Sequence, residues 1–149
     1  MFTLSVTSDP RATAKTLQQL GVQIVHLYVN WGSVAPNPES FRRPAFKATD
    51  PNAYPASSWA AYDATVRDLT ADHIVVNLSL TGKPPLWAEG LSDPKSKRTT
   101  EPQWEPNVRE YGQWVTAVAR RYSGHFTPPG ARKPLPRVSF WSGWNEPNL

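Results

Sequence analysis

Apolar positions along this chain switch between short β-branched runs and stripes at every third or fourth residue. The switching predicts a strand followed by a helix three times over, with a closing strand. Phe2 to Thr7 is the first β-like run. Asp9 followed by Pro10 makes an N-cap and a first helical residue, Ala14, Leu17 and Leu20 form an apolar stripe, and Gly21 suits the stop. Val22 to Val29 (VQIVHLYV) is the clearest strand, almost continuously apolar as in a strand covered on both faces. A second helix fits Ser58 to Ala71, where Trp59, Tyr62, Val66 and Leu69 share one side. Ile74 to Leu80 (IVVNLSL) is the third strand. The third helix starts at Asn107, with Glu110 placed as in a capping box; Tyr111, Trp114, Val115, Val118 and Tyr122 form its buried side, and Gly124 ends it. Arg137 to Trp144 is the fourth strand.

Strands separated by helices form a parallel sheet with right-handed crossovers, an α/β fold. Two connections, from about Asn30 to Ser57 and from about Thr81 to Pro106, exceed the ~12–15 residues beyond which a loop is usually functional. Both leave the carboxyl ends of strands, where α/β folds place their sites. The stretch from Ser123 to Pro136 lies at the other end of the sheet and reads as structural. The strand tips deliver Asn30-Trp31, then Thr81-Gly82 leading to Trp87, then Trp144-Asn145-Glu146 to one rim. Indole faces beside amides suit a sugar, whose CH faces stack on aromatics while its hydroxyls take polar partners. A tryptophan at such a tip can equally cap the core.

Composition narrows the class. A length of 149 residues fits one domain, and 39% apolar with 19% charged residues excludes a disordered chain. Sixteen prolines are about twice the usual share of roughly 5% and point to long ordered loops. The formal charge of +4 would permit an anionic partner, but the basic residues are scattered. Their densest group, Lys95, Lys97 and Arg98, reads as a solvated loop surface, so nucleic acid is not expected as a partner. Cysteine is absent, which removes disulfides and thiolate metal sites, and His26, His73 and His125 are too dispersed to suggest a ligand set. No run approaches the ~20 apolar residues of a membrane span. The start, MFTLSVTSDP, lacks the basic and apolar regions of a signal peptide.

The ending LPRVSFWSGWNEPNL resembles the fourth-strand motif of retaining glycoside hydrolases with a (β/α)8 barrel, a clan of cellulases, mannanases, β-xylosidases and β-galactosidases. LGVQIVHLYVNWGSVAP is similar to the second strand and its loop, LSLTGKPPLWA to the third strand and its loop, and YGQWVTAVARRYSG to the third helix. The resemblance covers nearly the whole chain and implies the amino-terminal half of a TIM barrel. It implies that Glu146 is the general acid/base and that Asn145 hydrogen-bonds the sugar 2-OH. Trp31, Asn30, His26, Trp87 and Trp144 are then the candidate substrate contacts. A carboxyl set among indoles and a proline is desolvated, which favours its proton-donating form. Where the clan carries an arginine in the second strand, this chain has His26, on the same face as Ile24, Tyr28 and Asn30 by alternation. A histidine can donate a hydrogen bond there but holds no fixed charge.

Retaining hydrolysis needs a second carboxylate roughly 5–5.5 Å from the first, which the clan takes from a seventh strand. Among the other acids, Asp9 reads as a cap, Asp63 and Asp68 lie along the second helix, and Glu89 and Glu101 lie in the third loop. A barrel of this kind typically has about 250 residues, so residues 1–149 read as an incomplete domain that needs its carboxyl-terminal half and is inactive alone. No metal or organic cofactor is expected for this chemistry. The alternative is a non-catalytic carbohydrate binder or a degenerate hydrolase. Sugar, linkage and localisation stay open, since such enzymes are often exported.

Overall fold

The computed structural model describes residues 2–5, 7–89 and 106–144. The elements follow the order β1 (Phe2–Leu4), α1 (Pro10–Gln19), β2 (Ile24–Asn30), α2 (Trp31–Val34), α3 (Ala56–Ala71), β3 (Val75–Thr81), α4 (Val108–Arg121) and β4 (Phe140–Ser142). Single 3-10 turns at Pro51–Ala53 and Leu86–Ala88 lie within the two long connections. The strands form one parallel sheet in the order β1-β2-β3-β4. The alternation of strand and helix in the sequence therefore becomes a parallel α/β sheet, as expected.

Local chemistry explains most element ends. The Asp9 carboxylate accepts from the Ala12 amide at 2.9 Å with Pro10 in the first turn, and Gly21 takes φ +72° just past the end of α1. Asn107 caps α4 by accepting from the Glu110 amide at 3.1 Å. The expected capping box is only half made. The Glu110 carboxylate pairs with Arg43 at 2.9 Å, and the Asn107 amide donates instead to the Ala88 carbonyl at 2.8 Å. That arrangement ties α4 to both long connections.

The strands are shorter or shifted relative to the sequence reading. β1 stops at Leu4, and β4 covers Phe140–Ser142 rather than the whole of 137–144. Tertiary hydrogen bonding fixes these limits: β4 pairs only where Phe140, Trp141 and Ser142 lie opposite Asn77, Leu78 and Ser79. The stripe of α1 is also narrower, because Ala14 and Leu17 are buried while Leu20 is 70% exposed at the C-cap. Trp59, Tyr62, Val66 and Leu69 of α3 are buried as their spacing required.

The two faces of the sheet differ. Val25, Leu27 and Val29 lie in register with Val76, Leu78 and Leu80, and all six join the core with Leu17, Trp59, Leu69, Trp114 and Val118 of the helices. The opposite face carries Ile24 and Val75, then His26 and Asn77, then Tyr28 and Ser79, then Asn30 and Thr81. Right-handed crossovers in a sheet of order β1-β2-β3-β4 put the crossover helices of the described residues on the first face. Among the described residues, cover on both faces, expected for a continuously apolar β2, is thus met on one: Ile24 is 40%, Val75 38% and Phe140 56% exposed.

Candidate functional site

The carboxyl ends of β2 and β3 are joined by their own backbones. The Gly32 amide donates to the Lys83 carbonyl at 2.9 Å, the Leu86 amide to the Pro38 carbonyl at 2.7 Å, and the Trp87 indole to the Pro36 carbonyl at 3.0 Å. Two glycines allow the approach. A Cβ on Gly32 would sit 2.7 Å from the Lys83 oxygen, and Gly82, at φ +90°, would place one 2.5 Å from the Asn30 side-chain oxygen. The Asn30 amide also donates to the Tyr62 hydroxyl of α3 at 3.2 Å, so the helix layer holds the tip of β2.

Between the two connections opens a cleft of about 370 Å3 lined by Asn30, Gly32, Ser33, Pro38, Glu39, Lys83 and Pro84. Asn30 is the residue there that the sequence reading named. Ser33, Glu39 and Lys83 were missed. The only signal in the sequence was that all three belong to the long connections; a charged loop residue is too common to stand out before the two loops are seen facing each other.

Of the two alternatives for a strand-tip tryptophan, Trp31 takes the one that caps the core. It is fully buried, stacked on Trp114 with ring centres 5.4 Å apart and planes 11° apart, and edge-on to Trp87 and Tyr111. It opens the one-turn helix α2, and that turn carries its indole under the rim into the helix-side core. Trp87 is half-buried, its N–H engaged by Pro36 and its ring in contact with Phe46 and the Arg43 guanidinium. Trp144 is half-buried at the tip of β4, edge-on to Tyr111 with ring centres 5.4 Å apart.

Tyr111 joins two strand ends. Its hydroxyl lies in hydrogen-bond contact with the carbonyl oxygens of Leu80 and Gly143, at the exits of β3 and β4. Burial pushes its phenol up to about 12. Through this side chain α4 holds the tips of β3 and β4 together.

His26 lies at mid-strand on the helix-free face, in register with Thr3 and Asn77 and edge-on to Tyr28 at 5.0 Å. Its Nε2 and the Ser79 Oγ on the same face are buried with no hydrogen-bond partner among the described residues. Asn145 and Glu146 lie outside the described residues, as do Glu101 and the group Lys95, Lys97 and Arg98. The remaining acids that the sequence reading raised have visible surroundings: Asp9 caps α1, Glu89 is 4% exposed, Asp68 is half-buried on α3, and Asp63 is engaged on the helix side. Asp63 takes Arg121 Nε at 2.9 Å and Nη2 at 2.5 Å, plus the Tyr122 hydroxyl at 3.0 Å. That is a structural arrangement within the helix layer, and burial together with the Asp63 charge drives the Tyr122 phenol well above its ordinary value.

Among the described residues no group of three or more histidine, cysteine or acidic side chains could hold a metal ion, and no helix is long and apolar enough to cross a membrane. No protein-family model matches this chain, and no curated protein is significantly similar to it.

Proposed function

We propose that this chain supplies the acid/base half of a retaining glycoside hydrolase, with Glu146 as proton donor and Asn145 as the partner of the sugar 2-OH. The observation that carries the reading is the convergence of β2, β3 and β4 on one rim. Asn30 and Thr81 are in register there, Tyr111 binds the exits of β3 and β4, and the Asn145-Glu146 dipeptide follows directly on Trp144 in the sequence. A parallel sheet is normally covered on both faces, and the helix-free face here is the side on which further strands would close a barrel. Such strands would also supply the second carboxylate that double displacement requires.

In this reading Glu146 protonates the departing glycosidic oxygen and later deprotonates the attacking water, while the nucleophile attacks the anomeric carbon from the other side. Asn30 contributes an amide at the rim. Trp144 and Trp87 offer partly exposed ring surface, whereas Trp31 acts beneath them as a structural support.

The test is hydrolysis of aryl β-glycosides by the complete natural polypeptide and its Glu146→Gln variant. Loss of a general acid should cost ~10²–10⁴ in rate on substrates with poor leaving groups and much less on activated ones. Equal loss on both would overturn the acid/base assignment. A binding-only protein is the second reading, favoured by His26 in the middle of the helix-free face. It is distinguished by oligosaccharide affinity without turnover of any substrate.

A further inference from the structure

The cleft between the connections after β2 and β3 contains two opposite charges that do not meet. Lys83 is half-buried and Glu39 exposed, and neither makes an ion pair or a side-chain hydrogen bond among the described residues. By contrast, Arg43 pairs with Glu110 and Arg120 donates to the Thr49 carbonyl. The cleft is also rigidly framed, because the backbone bonds Gly32 to Lys83 and Leu86 to Pro38 fix its two walls against each other. Its volume of about 370 Å3 falls at the small end of the range for ligand pockets.

We infer that this cleft is a subsite for a neutral sugar ring, held through a vicinal diol by the Lys83 ammonium as donor and the Glu39 carboxylate as acceptor. The inference rests on the carbohydrate reading above and names the substrate class. An ammonium can only donate and a carboxylate can only accept, whereas each hydroxyl of a diol does both. A neutral diol therefore satisfies both charges at once. A uronate would pair with Lys83 but set a second carboxylate against Glu39, and an amino sugar would do the reverse. The Asn30 amide and the Ser33 hydroxyl add groups that donate and accept, and the rings of Pro38 and Pro84 give apolar surface for the CH face of a sugar. Among the described residues no aromatic side chain lines the cleft, so hydrogen bonds rather than ring stacking would select the ligand.

Calorimetric titration of the protein with neutral β-linked gluco-, manno- and xylo-oligosaccharides, and with a uronate oligosaccharide, tests this. Lys83→Met and Glu39→Gln should each weaken binding of the preferred neutral oligosaccharide ~10-fold or more. The double variant should lose less than the sum, as expected for two groups sharing one diol. Neither side chain has a partner among the described residues, so the variants should melt at the wild-type temperature, which separates lost binding from lost fold. Binding unchanged within twofold in Lys83→Met, or tighter binding of the uronate than of any neutral chain, overturns the inference while leaving the hydrolase reading intact. Loss of binding in Lys83→Met together with unaltered hydrolysis by Glu146→Gln keeps the subsite and overturns the acid/base assignment. No affinity for any oligosaccharide overturns both.

Discussion

On the helix-covered face of the sheet, Val25, Leu27, Val29 and Leu78 are sealed under Trp59, Leu69, Trp114 and Val118. One residue along the same strands, on the opposite face, Ile24, Val75 and Phe140 remain 40%, 38% and 56% exposed and stand beside His26, Asn77 and Ser142. The backbone hydrogen bonding is common to both faces, so the difference lies wholly in the side chains and in what covers them. The covered face follows the rule for parallel sheets; the other departs from it. A surface with this mixture of exposed apolar and polar positions is a face on which another layer would fit, and that layer is what the proposed barrel would supply.

Several substitutions would break or sharpen this contrast. The largest effect should come from Trp114→Ala. It removes a fully buried indole stacked on Trp31, and urea unfolding should show a loss of ~3–5 kcal/mol. Asp63→Ala should follow at about 3 kcal/mol, because it leaves the Arg121 guanidinium buried without its carboxylate. On the helix-free face, Val75→Thr should change stability by no more than ~0.5 kcal/mol. A cost several times larger would show that this face is packed in solution.

The smallest effect is a titration. The Tyr111 phenol is raised from its ordinary 10.0 to about 12 by burial, so the folded state favours the neutral form. Its contribution to stability is fully present below pH 10 and is lost as the pH rises from 10 through about 12. Tyr111→Phe should remove a late phenolate step near pH 12 from the absorbance titration and flatten part of the alkaline loss of stability. An unchanged late step would show that the Tyr111 phenol is not held up by burial.

Much of the framework was legible because it depends on local rules. The Asp9-Pro10 start, the Asn107 cap and the stripe through Trp59, Tyr62, Val66 and Leu69 can be read from residue spacing and from hydrogen bonds closed within a few residues. The rim was legible only in part. Trp31 looked like a strand-tip indole because nothing local announces that the next turn rotates it inward onto Trp114, a residue on the last helix. Glu110 looked like the second member of a capping box because Arg43, its partner, is far away in sequence.

The order of strands and helices, the parallel sense of the sheet and the apolar side of each helix follow from the sequence itself, since period and capping are properties of neighbouring residues. Which charges pair and which stay apart was decided by the tertiary structure. Asp63 is spent on Arg121 and Tyr122, while Lys83 and Glu39 line one cleft without touching. Those outcomes depend on distances across the packed chain, set by the core and by the backbone bonds between its loops, and no spacing along the sequence encodes them.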